Sequence, residues 1–190
     1  KPTSRRLSPP GGLIVTGSTP GAATSGTTVR GAFDPLKEIA EICSQHNLWL
    51  HVDAAWGGSC LFSAKHRSLM DGIELADSVC WDAHKMMGVP LVCSAFLIKN
   101  PEILRKVCSH GNVAHYLFLG EAEEVDLGRI SLQCGRRNDA LKLFLAWREK
   151  GDAGWAKLVE SYMNLAEYLE QKIVESENLE LMDSNLFLRH

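Results

Sequence analysis

A chain of 190 residues with 45% hydrophobic and 23% charged side chains has the composition of an ordinary folded domain and enough length to bury a core, which excludes a disordered tract. Twenty basic against 23 acidic side chains leave a formal charge of −3 with no basic stripe, so nucleic acid is not an expected partner. The longest apolar runs, such as residues 89–98, are about half of the roughly 20 residues that a membrane-spanning helix needs, so no membrane span is expected.

In chain order, residues 1–12 are basic and rich in Pro and Ser, and no apolar segment with a cleavage site follows. Residues 1–22 therefore read as an irregular tail. Leu13 to Thr16 has strand character, and the Gly, Ser and Thr residues from Gly17 to Thr28 read as a polar loop. Asp34-Pro35 predicts a helix start, with the carboxylate capping free N–H groups and proline suited to the first position. Leu36, Ile39, Ala40 and Cys43 then share one face, and Asn47 stops the helix. Leu48 to Val52 is a nearly continuous apolar run, the pattern of a strand buried on both faces of a parallel sheet, and it delivers Asp53 at its C-terminal end. After a turn at Gly57 and Gly58, Ala76 to Trp81 reads as a second buried strand ending just before His84 and Lys85. Val92 to Ile98 reads as a third strand, and Asn100-Pro101 caps a short helix containing Ile103, Leu104 and Val107.

Beyond the polar loop from Gly120 to Arg129, Asp139 to Lys150 and Gly154 to Glu175 read as two helices. The second carries Trp155, Leu158, Val159, Tyr162, Ala166, Leu169 and Ile173 on one face, read as core packing. This alternation of elements predicts an α/β layer structure, with a mostly parallel sheet flanked by helices. Six cysteines at 43, 60, 80, 93, 108 and 134 include no Cys-x-x-Cys pair, and most have apolar neighbours. They read as buried thiols in a reducing, cytoplasmic setting rather than as a disulfide framework. No metal-ligand set is expected.

Three features can carry chemistry. Asp53, at the end of an apolar strand, needs a positive partner or several hydrogen bonds. It is either the cap of the next turn or the partner of a protonated pyridine nitrogen. Lys85 lies among Met86, Met87, Val89, Pro90 and Leu91, and an amine drawn into apolar surroundings is suited to form an imine with an aldehyde. The loop Ala23 to Thr28 offers hydroxyls and backbone N–H groups to a phosphate, or is a plain turn.

Taken in order, Thr24-Ser25-Gly26-Thr27-Thr28, His51-Val52-Asp53-Ala54-Ala55-Trp56-Gly57-Gly58, His84-Lys85-Met86 and Leu132-Gln133-Cys134-Gly135-Arg136-Arg137 resemble the group II pyridoxal-phosphate decarboxylases. That family includes the glutamate, cysteine sulfinate, aspartate and aromatic amino-acid decarboxylases, and the similarity runs from about Ala23 to about Met182. The resemblance implies part of the large domain of a fold-type-I enzyme, with pyridoxal 5′-phosphate as cofactor and an amino acid as its small-molecule substrate. It implies Lys85 as the Schiff-base lysine, Asp53 as the partner of the ring nitrogen, and Ala55 packed under the ring face. Thr28 and His84 complete the implied cofactor shell, and a homodimer is implied for the full-length form. Residues 23–150 then read as the cofactor-binding segment, and 151–190 as a long helix leading into the C-terminal segment.

The tryptophan of Trp56-Gly57-Gly58 resembles the branch acting on acidic amino acids; simple packing is the other reading. Arg136 and Arg137 belong by resemblance to the surroundings of the active site, or are surface charges. Two departures stand out. Asp82-Ala83 replaces the family's frequent Asn-Pro, and a carboxylate repels a phosphate where an amide donates to it. The loop Leu119 to Arg129 lacks the tyrosine that many members are thought to use as proton donor. Family members are far longer, so the chain is expected to be a central piece, either active or a truncated, non-catalytic cofactor-binding or oligomerising fragment.

Overall fold

The computed structural model describes residues 20–108, 127–131, 133 and 135–181. The expected strand at Leu13 to Thr16, most of the loop from 119 to 129, and Cys134 lie outside the described residues. The chain divides into two compact units, residues 1–97 with 139–190 and residues 98–138.

The first unit is built on a sheet of β1 (Gly21–Thr24), β2 (Leu50–Asp53), β3 (Ser78–Asp82) and β4 (Ser94–Ile98), in that order. β1 pairs parallel with β2, Thr24 beside Asp53, and β2 pairs parallel with β3, Asp53 beside Cys80. The helices α1 (Leu36–Gln45) and α3 (Asp139–Val174) accompany it, so the α/β expectation holds. β1 corrects one expectation, because residues 21–24 read locally as polar loop. Their strand character comes from β2, almost thirty residues away along the chain, which supplies the ladder partners. Small side chains suit the place, since Ala23 is 1% exposed in the core beside Leu36, Ile39 and Cys43 of α1.

β2 is not buried on both faces. Leu50 and Val52 are buried, His51 is half-buried and Asp53 is exposed, the alternation of a strand with one covered face. The start of α1 differs too. Pro35 is the cap residue and no side chain caps the helix. The Asp34 carboxylate instead accepts a hydrogen bond from the Thr24 N–H at 2.7 Å, while the Asp34 N–H donates to the Thr24 carbonyl at 3.0 Å. A strand end beside the helix start competed for the carboxylate and won. Asn47 does end this segment, with φ at 50°, a conformation that asparagine tolerates better than most residues.

α3 contains the two expected helices, separated where Gly151 takes φ 62° and ψ 177°. The face of its second half is narrower than its apolar pattern implied. Trp155, Val159 and Met163 are buried, whereas Tyr162 and Leu169 are exposed. Trp155 meets Trp147 edge-on at 6.5 Å between centroids, and Trp147 meets Phe62 at 5.2 Å. Ala83, Met87, Val89 and Cys93 join Trp155 in this second core cluster, which therefore anchors the segment carrying His84 and Lys85.

In the second unit, α2 (Pro101–Cys108) begins as expected, with the Asn100 side-chain oxygen accepting from the Glu102 N–H at 3.1 Å. Cys108 is its buried residue, and Val107 is 64% exposed. The described cysteines, 43, 60, 80, 93 and 108, are all free thiols. Among the described residues no helix is long and apolar enough to cross a membrane.

Candidate active site

The C-terminal ends of two neighbouring parallel strands carry the candidate residues. Asp53 ends β2 and Asp82 ends β3, two residues beyond the Cys80 that pairs with Asp53. The chain then turns sharply, with Lys85 N–H donating to the Asp82 carbonyl at 3.0 Å and Gly88 N–H to the Lys85 carbonyl at 3.0 Å. Ala83 and Met87, each 1% exposed, point down into the core cluster. Burial of these two leaves His84, Lys85 and Met86 half-exposed between them.

Lys85 Nζ lies 3.3 Å from Asp82 Oδ2, with the two side chains 27% and 14% exposed, and 5.6 Å from the centre of the Trp56 ring. His84 Nε2 approaches the same Asp82 oxygen at 3.8 Å. The other ring nitrogen, Nδ1, sits 3.1 Å from the Cys93 N–H and 2.9 Å from the Cys93 carbonyl. That carbonyl already accepts from the His84 backbone N–H at 3.2 Å. Nδ1 is thus fixed against the Cys93 backbone, and Nε2 is the ring nitrogen on the Asp82 side. Cys80 Sγ completes the cluster, 4.0 Å from Asp82 Oδ1. Burial pushes this thiol up from its ordinary pKa, Asp82 and then Asp53 push it further, and Lys85 opposes them. Both carboxylates and the amine thus act on one point between the strands.

Asp53 Oδ1 accepts the Ala55 N–H at 3.0 Å, so the turn-capping arrangement is present. Its Oδ2 has no hydrogen bond or ion pair among the described residues and remains open to a donor such as a pyridinium N–H. Ala55 is 7% exposed, and its carbonyl accepts the Asp82 N–H at 3.3 Å, tying the two strand ends together. A carboxylate, a small side chain and an amine thus stand at or just past the C-terminal ends of β2 and β3, and these are the kinds of group that an aldehyde-bearing pyridine ring requires.

The hydroxyl-bearing loop is closed on itself. Gly26 and Thr27 N–H both donate to the Ala32 carbonyl, and Thr27 Oγ1 accepts the Ala32 N–H at 2.9 Å. Thr28 is exposed at its tip, on the rim of a cavity of about 220 Å³ shared with Trp56 and Met86. Lys85 and Asp53 do not line that cavity. Beside the loop, Ser25 is fully buried, and its hydroxyl has no partner among the described residues. Arg136 and Arg137 belong to the second unit and are exposed.

Asp82 is the residue that sequence reasoning undervalues. By residue type it is a group that repels phosphate, yet in the fold it is the charged partner of Lys85. The signal is its spacing of three residues before a lysine, directly after a strand.

Residues 13–187 match the model of the pyridoxal-dependent decarboxylase conserved domain. Human cysteine sulfinic acid decarboxylase is 49% identical over 164 residues, covering 85% of this chain and 33% of that protein. Bovine acidic amino acid decarboxylase GADL1 is 50% identical over 163 residues, covering 84% and 31%. The crystal structure of mouse CSAD in apo form matches with a TM-score of 0.79 at 43% identity, over 87% of this chain and 34% of that one. Tryptophan decarboxylase from Catharanthus roseus, in complex with L-tryptophan, matches with a TM-score of 0.73 at 28% identity, over 87% and 33%. The chain spans about a third of the length of each of these relatives.

Proposed function

Because the chain belongs to the pyridoxal-dependent decarboxylase family, we propose that it supplies the aldehyde-binding lysine and the ring-nitrogen carboxylate for removing the α-carboxyl group of an acidic amino acid. The products are the amine and carbon dioxide. The observation that carries this reading is the half-exposed Lys85 amine just past the C-terminal end of β3, the strand next to the one that Asp53 ends, with the second Asp53 oxygen unengaged among the described residues. Bound pyridoxal 5′-phosphate supplies an electron sink for the pair left by the departing carboxylate.

Lys85 presents its amine to the aldehyde, and Asp53 holds the ring nitrogen in its protonated form. Ala55 leaves room for the ring face, while Thr28 and His84 complete the shell. An acidic substrate is supported by the names of the human and bovine relatives and by the Trp56-Gly57-Gly58 form. Residues 23–150 form the cofactor-binding segment in this reading, and 151–190 lead into the C-terminal segment. The full-length form is taken to be a cytoplasmic homodimer.

Incubating the chain with pyridoxal 5′-phosphate, reducing with borohydride and digesting for mass spectrometry tests the assignment. A pyridoxyl adduct on Lys85, with loss of the visible absorbance band in Lys85→Ala, is expected; an unchanged band in that variant removes Lys85 from the role. The absence of a tyrosine from Leu119 to Arg129 favours a second reading, a polypeptide that binds cofactor without turnover. Carbon dioxide release from labelled cysteine sulfinate, aspartate or glutamate by the 190-residue chain eliminates that reading.

A further inference from the structure

We infer that the Asp82 carboxylate accepts and returns the proton at Lys85 Nζ as this lysine bonds to an aldehyde, an inference that rests on Lys85 being the aldehyde-binding residue. Asp82 Oδ2 stands 3.3 Å from Nζ in a pair whose members are 14% and 27% exposed, close enough for direct transfer on a small motion. The carboxylate is held from several sides. Its own backbone N–H donates to the Ala55 carbonyl at 3.3 Å, Cys80 Sγ lies 4.0 Å from Oδ1, and His84 Nε2 lies 3.8 Å from Oδ2. His84 is in turn fixed against Cys93. The Lys85 amine, for its part, is confined by the Trp56 ring at 5.6 Å.

Asp53 is worse placed for this task. It ends a different strand, and Oδ1 is occupied by the Ala55 N–H. An amide at position 82, which the family pattern leads one to expect, has no basic oxygen that could take a proton. The carboxylate is therefore a feature of this chain that adds a chemical step.

Protons and electrons balance in that step. The Lys85 ammonium passes one proton to Asp82, and its freed electron pair bonds to the aldehyde carbon while the carbonyl oxygen takes a second proton from nitrogen. Asp82 returns its proton to that oxygen, which leaves as water, and the nitrogen keeps one proton and the positive charge in the new C=N bond. The cation again faces Asp82, so the carboxylate is regenerated beside the same charge it began with.

The probe is pyridoxal, which lacks the phosphate, so repulsion between phosphate and Asp82 does not enter the rate. Timed borohydride quenching and mass spectrometry give the rate of adduct formation at Lys85 in the parent chain, Asp82→Asn and Asp82→Glu. Loss of a positioned base predicts a rate about a hundredfold lower in Asp82→Asn, a substantial recovery in Asp82→Glu, and a partial recovery of Asp82→Asn by added formate. If Asp82→Asn lacks the parent's far-ultraviolet circular dichroism, Asp82→Ser takes its place in the same comparison. A carboxylate-free variant as fast as the parent, or a slowed one that formate leaves unchanged, overturns the inference and leaves the assignment of Lys85 intact. No adduct at Lys85 in the parent overturns both.

Discussion

At Asp53 the proposed site gives one carboxylate two separable tasks, because Oδ1 accepts the Ala55 N–H at 3.0 Å while the negative charge is left for the proposed ring nitrogen. Asp53→Asn keeps an acceptor for that N–H and loses the charge, so the fold is expected to stay within about 0.5 kcal/mol of the parent. The lost charge-assisted hydrogen bond is worth about 1.5–3 kcal/mol, roughly a tenfold to hundredfold fall in affinity for pyridoxal 5′-phosphate by absorbance titration. Asp53→Ala loses the turn contact as well, which at this exposed residue costs about 0.5 kcal/mol more in urea denaturation. Equal cofactor affinity in the parent and Asp53→Asn removes Asp53 from the cofactor shell. The cysteines separate by environment in the same way. Burial pushes the Cys60 thiol up to about 11, which keeps it protonated and inert, whereas Cys80 is half-exposed between two carboxylates.

Among the elements, the loop after β1 and the turn after β2 interlock. Gly57 N–H donates to the Ser25 carbonyl at 3.1 Å, and a Cβ on Gly26, whose φ is 81°, stands 2.7 Å from the Gly57 nitrogen. Gly26→Ala therefore meets both a left-handed backbone and fixed main-chain atoms. The backbone strain alone costs about 1–2 kcal/mol, and the clash adds to it. Gly88, with φ 66° and nothing within 4 Å of the point where a Cβ would stand, provides the control with strain but no clash. Thermal denaturation is expected to rank Gly26→Ala clearly below Gly88→Ala, and equal melting temperatures contradict the interlock. The segment bearing Lys85 has a different anchor, the i, i+4 pair Ala83 and Met87 in the core cluster with Trp155. α3 thus supports the proposed site from beneath without supplying any of its chemical groups.

For the first unit as a whole, His66 is a group expected to weaken the fold in acid. This residue is 5% exposed, and its Nε2 has no partner among the described residues. Burial lowers its pKa below the ordinary 6.5, Lys65 lowers it further, and Glu167 and Glu160 of α3 pull it partly back. Well above pH 6.5 the ring is neutral in both folded and unfolded chains and contributes no pH dependence. As pH falls below that value the unfolded chain takes up the proton first, so stability declines on acidification. Urea midpoints measured from pH 7.5 to 5.5 should fall in the parent and flatten in His66→Gln; identical slopes assign the acid response to other groups.

Much of this could be read from the chain in one dimension. The apolar runs and their spacing put Asp53 at one strand's C-terminal end and the His84-Lys85 pair just past another's, and Asn47 and Gly151 mark helix limits through backbone preferences that need no distant partner. Four ordered motifs sufficed to identify the family, since each is a matter of residue type and order. What tertiary structure alone decided depended on groups far apart in sequence meeting. β1 is a strand because β2 offers its ladder, the Asp34 carboxylate bonds to Thr24 instead of capping α1, and only part of the apolar face of α3 finds a surface to bury against. The Lys85 to Asp82 pair was hidden for a related reason. Two charges three residues apart are ordinary on any surface, and they gain chemical meaning only when packing beneath them holds both at a half-buried sheet edge.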